Sequence, residues 1–237
     1  MINLSSSLNR AVYAIGLLLT FSQLATSQTL PDSDFQIWNE TVLSFPVIKK
    51  VDADGKETDK LSLLVLGVVR LGQNRLYPVD ARVGAGFDLK LNKYWSFSPT
   101  YVYRRGEPLR DRKEFEHRLR FDLTVGHKWK HFSLKDRNRL EYRVRNSRSD
   151  SVRYRNKFTF AFPVKVNDKE IFSPFVADEF YYDFTAKDFT TNEISAGITR
   201  KLSKNTSADI FWARRDFSSG QIRSLNAIGV NVKIRVD

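Results

Sequence analysis

Cysteine is absent from the 237 residues, so neither a disulfide framework nor a lipid-anchored cysteine is available. Histidine is nearly absent: His117, His127 and His131 are the full set. There is no metal-ligand spacing, no Gly-rich phosphate loop and no nucleophile elbow. Hydrolysis by a serine, histidine and acid set would have to rest on His117, because His127 and His131 lie beside a short turn. Neither an enzyme nor a cofactor is expected. Long apolar runs are missing too. The most apolar stretch beyond the N-terminus, Leu61–Val69 (LSLLVLGVV), has the length of a strand and falls far short of the ~20 residues a spanning helix needs.

The N-terminus supplies the first positive signal. Residues 1–10 carry one cation, Arg10; Ala11–Phe21 is apolar; Ala25-Thr26-Ser27 is a small-x-small cleavage site. This is the layout of a secretory signal peptide. Residues 1–27 are expected to be that peptide, and 28–237 the exported domain. With no helical span and no cysteine, an exported chain is either a soluble secreted β-protein or a barrel in the outer membrane of a Gram-negative bacterium. Removing Arg10 lowers the formal net charge from +12 to +11. Nucleic acid is not expected as a partner of an exported chain, despite that charge.

The remaining sequence alternates. KDRNRLEYRVRN (135–146) places Lys135, Arg137, Arg139, Glu141, Arg143 and Arg145 on one side and Leu140, Tyr142 and Val144 on the other. A period of two is that of a strand, since successive side chains point to opposite faces of a sheet. The same pattern recurs in Arg82–Leu91, Trp95–Arg104, Phe115–Gly126, Val152–Val166, Ile171–Phe184, Thr191–Leu202, Thr206–Phe217 and Leu225–Val236. Phe35–Phe45 and Leu61–Gly72 are apolar on both faces. The mean hydropathy of −0.41 does not argue against a membrane barrel, because alternation cancels in an average. An all-β fold follows: a closed, single-domain, antiparallel up-and-down transmembrane barrel. Eleven stretches are countable, and single-chain bacterial barrels have even strand numbers. Twelve strands are therefore expected, with ten as the alternative.

Connections and aromatics favour a barrel over a sandwich. Short links (Asn92-Lys93, Lys128–His131, Asn167–Glu170, Ser203–Asn205) alternate with longer polar ones (Gly106–Glu114, Ser147–Ser151, Thr185–Thr190, Ser218–Arg223). That is the expected alternation of periplasmic turns and outer loops. Trp95 and Trp129 sit by short turns, while Tyr101, Tyr103, Tyr154 and Trp212 lie towards the longer loops, as two interfacial girdles require.

Several stretches carry a family resemblance. DFQIWNET (34–41), FSLKDRNRLEYRVRN (132–146), VRYRNKFTF (152–160) and SPFVADEFYYDF (173–184) resemble domain of unknown function 2490, a family of predicted bacterial outer-membrane barrels. The resemblance spans nearly all of 34–236. It implies a barrel fold and an outer-membrane location, and it brings no catalytic residues with it.

If the apolar faces meet lipid, the charged faces line the interior. The expected lumen cluster is Arg118, Arg120, Asp122, Arg137, Arg139, Glu141, Arg143, Arg145, Arg153, Arg155, Lys157 and Glu179, with Glu116, Asp178 and Asp183 as further acids. Buried charges must pair or meet water. Two readings stand. In one, Arg–carboxylate ladders fill a narrow lumen, and the protein has a structural, membrane-integrity role. In the other, a wet basic passage favours anions, as in a small channel or porin-like transporter. At the surface, Arg104, Arg105, Arg110, Arg112 and Lys113 form a basic loop suited to lipopolysaccharide phosphates. Outer-membrane lipid and the barrel assembly machinery complete the expected partners.

Overall fold

The computed structural model describes residues 32–51, 55, 57–73, 76–109, 112–167, 169–220 and 222–237. The expected signal peptide and Arg110 lie outside the described residues. Each alternating stretch forms a strand: β1 (Ser33–Val51), β2 (Glu57–Gly72), β3 (Tyr77–Lys90), β4 (Trp95–Leu109), β5 (Arg112–Lys128), β6 (Ser133–Arg145), β7 (Ser151–Ala161), β8 (Val164–Val166), β9 (Lys169–Asp183), β10 (Asp188–Lys201), β11 (Thr206–Phe217) and β12 (Ser224–Arg235). β1 and β2, apolar on both faces in sequence, are one strand each. Consecutive strands pair antiparallel from β1 to β7, β7 pairs with β9, β9 with β10 and so on to β12, and β12 pairs with β1, so the sheet closes on itself as a barrel.

Twelve strands are present among the described residues, but eleven make the wall. Here the structure departs from the even, fully antiparallel barrel. Every hairpin reverses direction, so after an odd number of strands the first and last run the same way. The seam is accordingly parallel, from Ser33↔Ser224 to Ser44↔Arg235. The twelfth strand, β8, comes from the stretch Val152–Val166, which breaks at Pro163 because proline cannot donate to the ladder. Beyond the break the chain folds back on β9, pairing Val164 with Phe172 and Val166 with Lys169. Pro46 is accommodated in β1 in the same way, beside a register shift.

β1 and β12 both begin at one rim, here the N rim, and both end at the other, the C rim. The expected contrast between short and long connections is absent. The segment Gly106–Glu114 is mostly paired strand, out to Leu109↔Arg112, and β10 already begins at Asp188. The outer surface is apolar: Val83, Phe87, Leu119, Phe121, Leu140, Phe158, Val176, Ile194, Ile210 and Ile228 are all more than 40% exposed. In a water-soluble fold such large side chains would be covered. One seam interrupts this surface. Asp178 stands on the outer face and accepts from Asn192 Nδ2 at 2.7 Å, so it is not among the interior acids. Nearby, Asn156 Nδ2 donates to Asp136 Oδ1 at 2.5 Å and to Asn138 Oδ1 at 3.1 Å.

Candidate functional site

Alternation puts the charged faces of β3 to β7 inside the ring, and closure adds β9 to β12. The N-rim half of the interior is packed with ion pairs. Glu116 takes Arg118 Nη2 at 2.5 Å, Arg143 Nη2 at 2.8 Å and Arg104 Nη1 at 3.2 Å. Glu141 takes Arg153 Nη2 at 2.6 Å and Arg155 Nη1 at 3.1 Å, with Arg139 Nη1 at 3.8 Å. Asp80 accepts Arg82 through both Nε (2.7 Å) and Nη2 (2.9 Å), and Arg104 Nε at 2.7 Å. Asp122 holds Arg139 by two bonds of 2.6 Å. Glu179 joins Arg155 and Arg137, each at 2.8 Å. Paired forks of this kind suit the planar guanidinium. Glu141 is 0% exposed and Glu116 1%, so water reaches these carboxylates from neither rim; Glu179, 2% exposed, borders the inner cavity.

An aromatic layer backs the ladders. Tyr181 OH accepts from Arg155 Nη2 at 2.9 Å and Arg215 Nη2 at 3.3 Å, and Arg215 also bonds Glu193. Trp38, the inward-facing tryptophan, has Arg70 at 3.8 Å and Arg215 at 4.7 Å from its ring centroid, an arrangement that favours cations on the π faces. Its Nε1 donates to Gln36 at 2.7 Å, and Gln36 donates to Asp34 at 2.7 Å.

The C-rim half differs. Two adjoining cavities, about 340 and 650 Å³, share Glu40, Val42, Arg120, Lys135, Arg137 and Lys233 in their walls. Among the described residues, Arg70, Arg120, Lys135, Lys157, Lys201, Lys204 and Lys233 line these cavities with no carboxylate within the 4.0 Å of an ion pair. Lys135, Lys201 and Lys233 are exposed to the lumen. The carboxylate of Glu170, at the mouth, is engaged by Lys128 and by Ser173 Oγ at 2.5 Å. Glu40, Asp88 and Asp209 also stand in the cavity walls, outside the ladders.

The expected cluster divides along this line. Arg118, Arg139, Glu141, Arg143, Arg153, Arg155 and Glu179 belong to the buried ladders, with Asp122. Arg120, Arg137 and Lys157 border the cavities, as do Asp122, Arg139, Arg155 and Glu179 from the ladder side, and Arg137 also pairs with Glu179. Arg145 is not in the cluster: at the N rim its guanidinium donates to Ser149 O, from Nε at 2.8 Å. Asp183 Oδ1 accepts from the amides of Thr185 and Ala186 in the β9–β10 turn. The basic loop also changes. Arg104 is buried in the ladders because β4 continues past it, whereas Arg105 and Lys113 are exposed. Trp95, Trp129, Tyr101 and Trp212 are exposed on the outside; Tyr103 and Tyr154 are half-buried there, Tyr154 OH bonding Asn138. His117 is on the outer face, its Nδ1 2.6 Å from Tyr101 OH. Sequence reading did not single out Trp38, Arg70, Asp80, Glu193 or Arg215. Their signal was weak, a single charge or ring on faces otherwise small or apolar.

Fold and interior thus define a closed β-barrel with an ion-paired half and a wet basic half. The chain belongs to the family described as protein of unknown function (DUF2490), whose model matches residues 35–223. No curated protein matches the sequence. Among solved structures, a NanC porin is similar with a TM-score of 0.47 and 10% identity, over 80% of this chain and 90% of that one. LpxR from Salmonella typhimurium is similar with a TM-score of 0.45 and 9% identity, over 78% and 84%.

Proposed function

We propose that this chain is an outer-membrane barrel without catalytic activity, closed towards the outside by its ion-paired half and open to the periplasm through a basic vestibule. The observation that carries the reading is the burial of Glu116, Glu141 and Glu179 among six or more guanidiniums in the N-rim half. A path for ions would hydrate those carboxylates. The apolar outer wall supports a lipid environment, and a C-terminus in the periplasm makes the C rim the inner one. Signal-peptide-directed export and the barrel assembly machinery would deliver the chain there. Arg105 and Lys113, exposed near the N rim, are candidates for lipopolysaccharide phosphates.

Two measurements test this. On fractionation the protein stays with the detergent-resistant outer membrane and changes gel mobility on heating. Reconstituted in a planar bilayer, it shows no steady current at moderate voltage. The unpaired cations of the C-rim half favour a second reading, an anion-selective passage. A steady anion current weakened by Arg139→Glu would establish that reading and overturn the closed barrel.

A further inference from the structure

The wet half of the lumen is not uniformly basic. Val42 of β1 and Leu64, Leu66 and Val68 of β2 turn inward and form an apolar strip along both cavities. β1 and β2 lie about halfway round the ring from β6 and β7, which carry Lys135, Arg137 and Lys157. Phe211 extends the strip from β11, its ring lying where a side chain on Gly229 would otherwise stand. Water gains nothing from such a strip, and a small inorganic anion on the opposite wall would leave it uncovered.

Hydrogen-bond capacity at the inner end is also unused. Ser195 Oγ, in a residue 2% exposed, has no partner among the described residues, and neither do Arg70 Nε and Arg137 Nε. All three residues line the inner cavity. Buried donors left open cost free energy unless something accepts from them. Cations that outnumber the carboxylates of the inner cavity (Glu40, Glu179, Glu193 and Asp209), open donors and a facing apolar strip together specify one kind of occupant.

We propose that the vestibule binds a single-chain amphiphilic anion, its phosphate or carboxylate head against Arg120, Arg137, Lys157 and Ser195 and its hydrocarbon tail along Val42, Leu66 and Val68. The inference rests on the vestibule of the preceding reading and adds its ligand class. The cavity of about 340 Å³ lies within the range of small-ligand pockets. Access is from water at the C rim, since the wall is hydrogen-bonded all the way round.

Hexyl phosphate is the probe, short enough to remain mostly in water. Titrated calorimetrically into the full barrel in lipid nanodiscs, it binds at least tenfold tighter than inorganic phosphate. Hexan-1-ol gives no heat beyond that of empty nanodiscs. Lys157→Glu weakens hexyl phosphate tenfold or more. Val42→Asn weakens hexyl phosphate while leaving inorganic phosphate unchanged. Unheated gel mobility verifies that each variant is folded. Equal affinity for hexyl phosphate and inorganic phosphate would reduce the site to a plain anion site and overturn the proposal, as would no binding of hexyl phosphate by folded protein. Neither result bears on closure, which the bilayer current reads separately.

Discussion

Glu141→Ala lowers the unfolding free energy of the barrel by about 3–5 kcal/mol, the range for breaking a buried ion pair from one side. The carboxylate is fully buried and faces Arg153, Arg155 and Arg139. Their mutual repulsion is offset in the native state by this one anion and its neighbours. Removing it strands guanidiniums where water does not reach. Glu116→Ala follows the same reasoning, with Arg104, Arg118 and Arg143 losing their shared partner. Glu40→Ala is the internal comparison. Its carboxylate lines the cavities without an ion pair, so its loss costs less than that of either ladder carboxylate. Urea titration of the protein refolded in vesicles, followed by tryptophan fluorescence, gives the three values. Equal, small losses for Glu141→Ala and Glu40→Ala would mean that the ladders are hydrated and the lumen open.

Phe121→Arg is expected to cost about 2–4 kcal/mol, the penalty for a cation at mid-depth on the lipid side of a barrel. Phe121 stands midway along the outward row of β5, is 42% exposed, and stacks against Phe97 with ring centroids 6.5 Å apart. Phe160→Arg, one residue from the C-rim end of β7, stands nearer the interface, where the penalty is smaller, and also removes contacts with Phe132 and Phe162. Thr124→Arg and Thr159→Arg should cost less, because both threonines line the cavities and not the outer wall. The same urea titration separates the two faces. Equal tolerance at all four positions would place the outer wall in water and remove the membrane from the account.

Much of this architecture was legible before folding, because a strand writes its two environments into alternate residues. Leu140, Tyr142 and Val144 read as one face and Arg139, Glu141 and Arg143 as the other, and β6 carries them so. Where both faces are apolar the pattern is silent: Val42, Leu66 and Val68 face inward, and nothing local distinguishes them from the lipid-facing Leu43, Val65 and Val69. Counting Asp178 among the interior acids goes against the alternation itself, which puts it on the face opposite its neighbour Glu179.

By itself, then, the sequence determined that the chain is β throughout, where most strands lie, and that rows of arginine share one face. Tertiary structure decided the rest. The parallel seam depends on how many strands fit the ring, and a strand's own residues carry no record of that number. The split of the lumen depends on which acids reach which arginines. Glu193 meets Arg215 and Glu116 meets Arg104 and Arg143 only through interstrand register. Pairing within a hairpin is local, but contact across a closed ring is set by closure and stagger together. The ladder acids gather towards the N rim and leave Lys135, Lys157 and Lys233 of the other half without ion pairs, and only the closed barrel shows it.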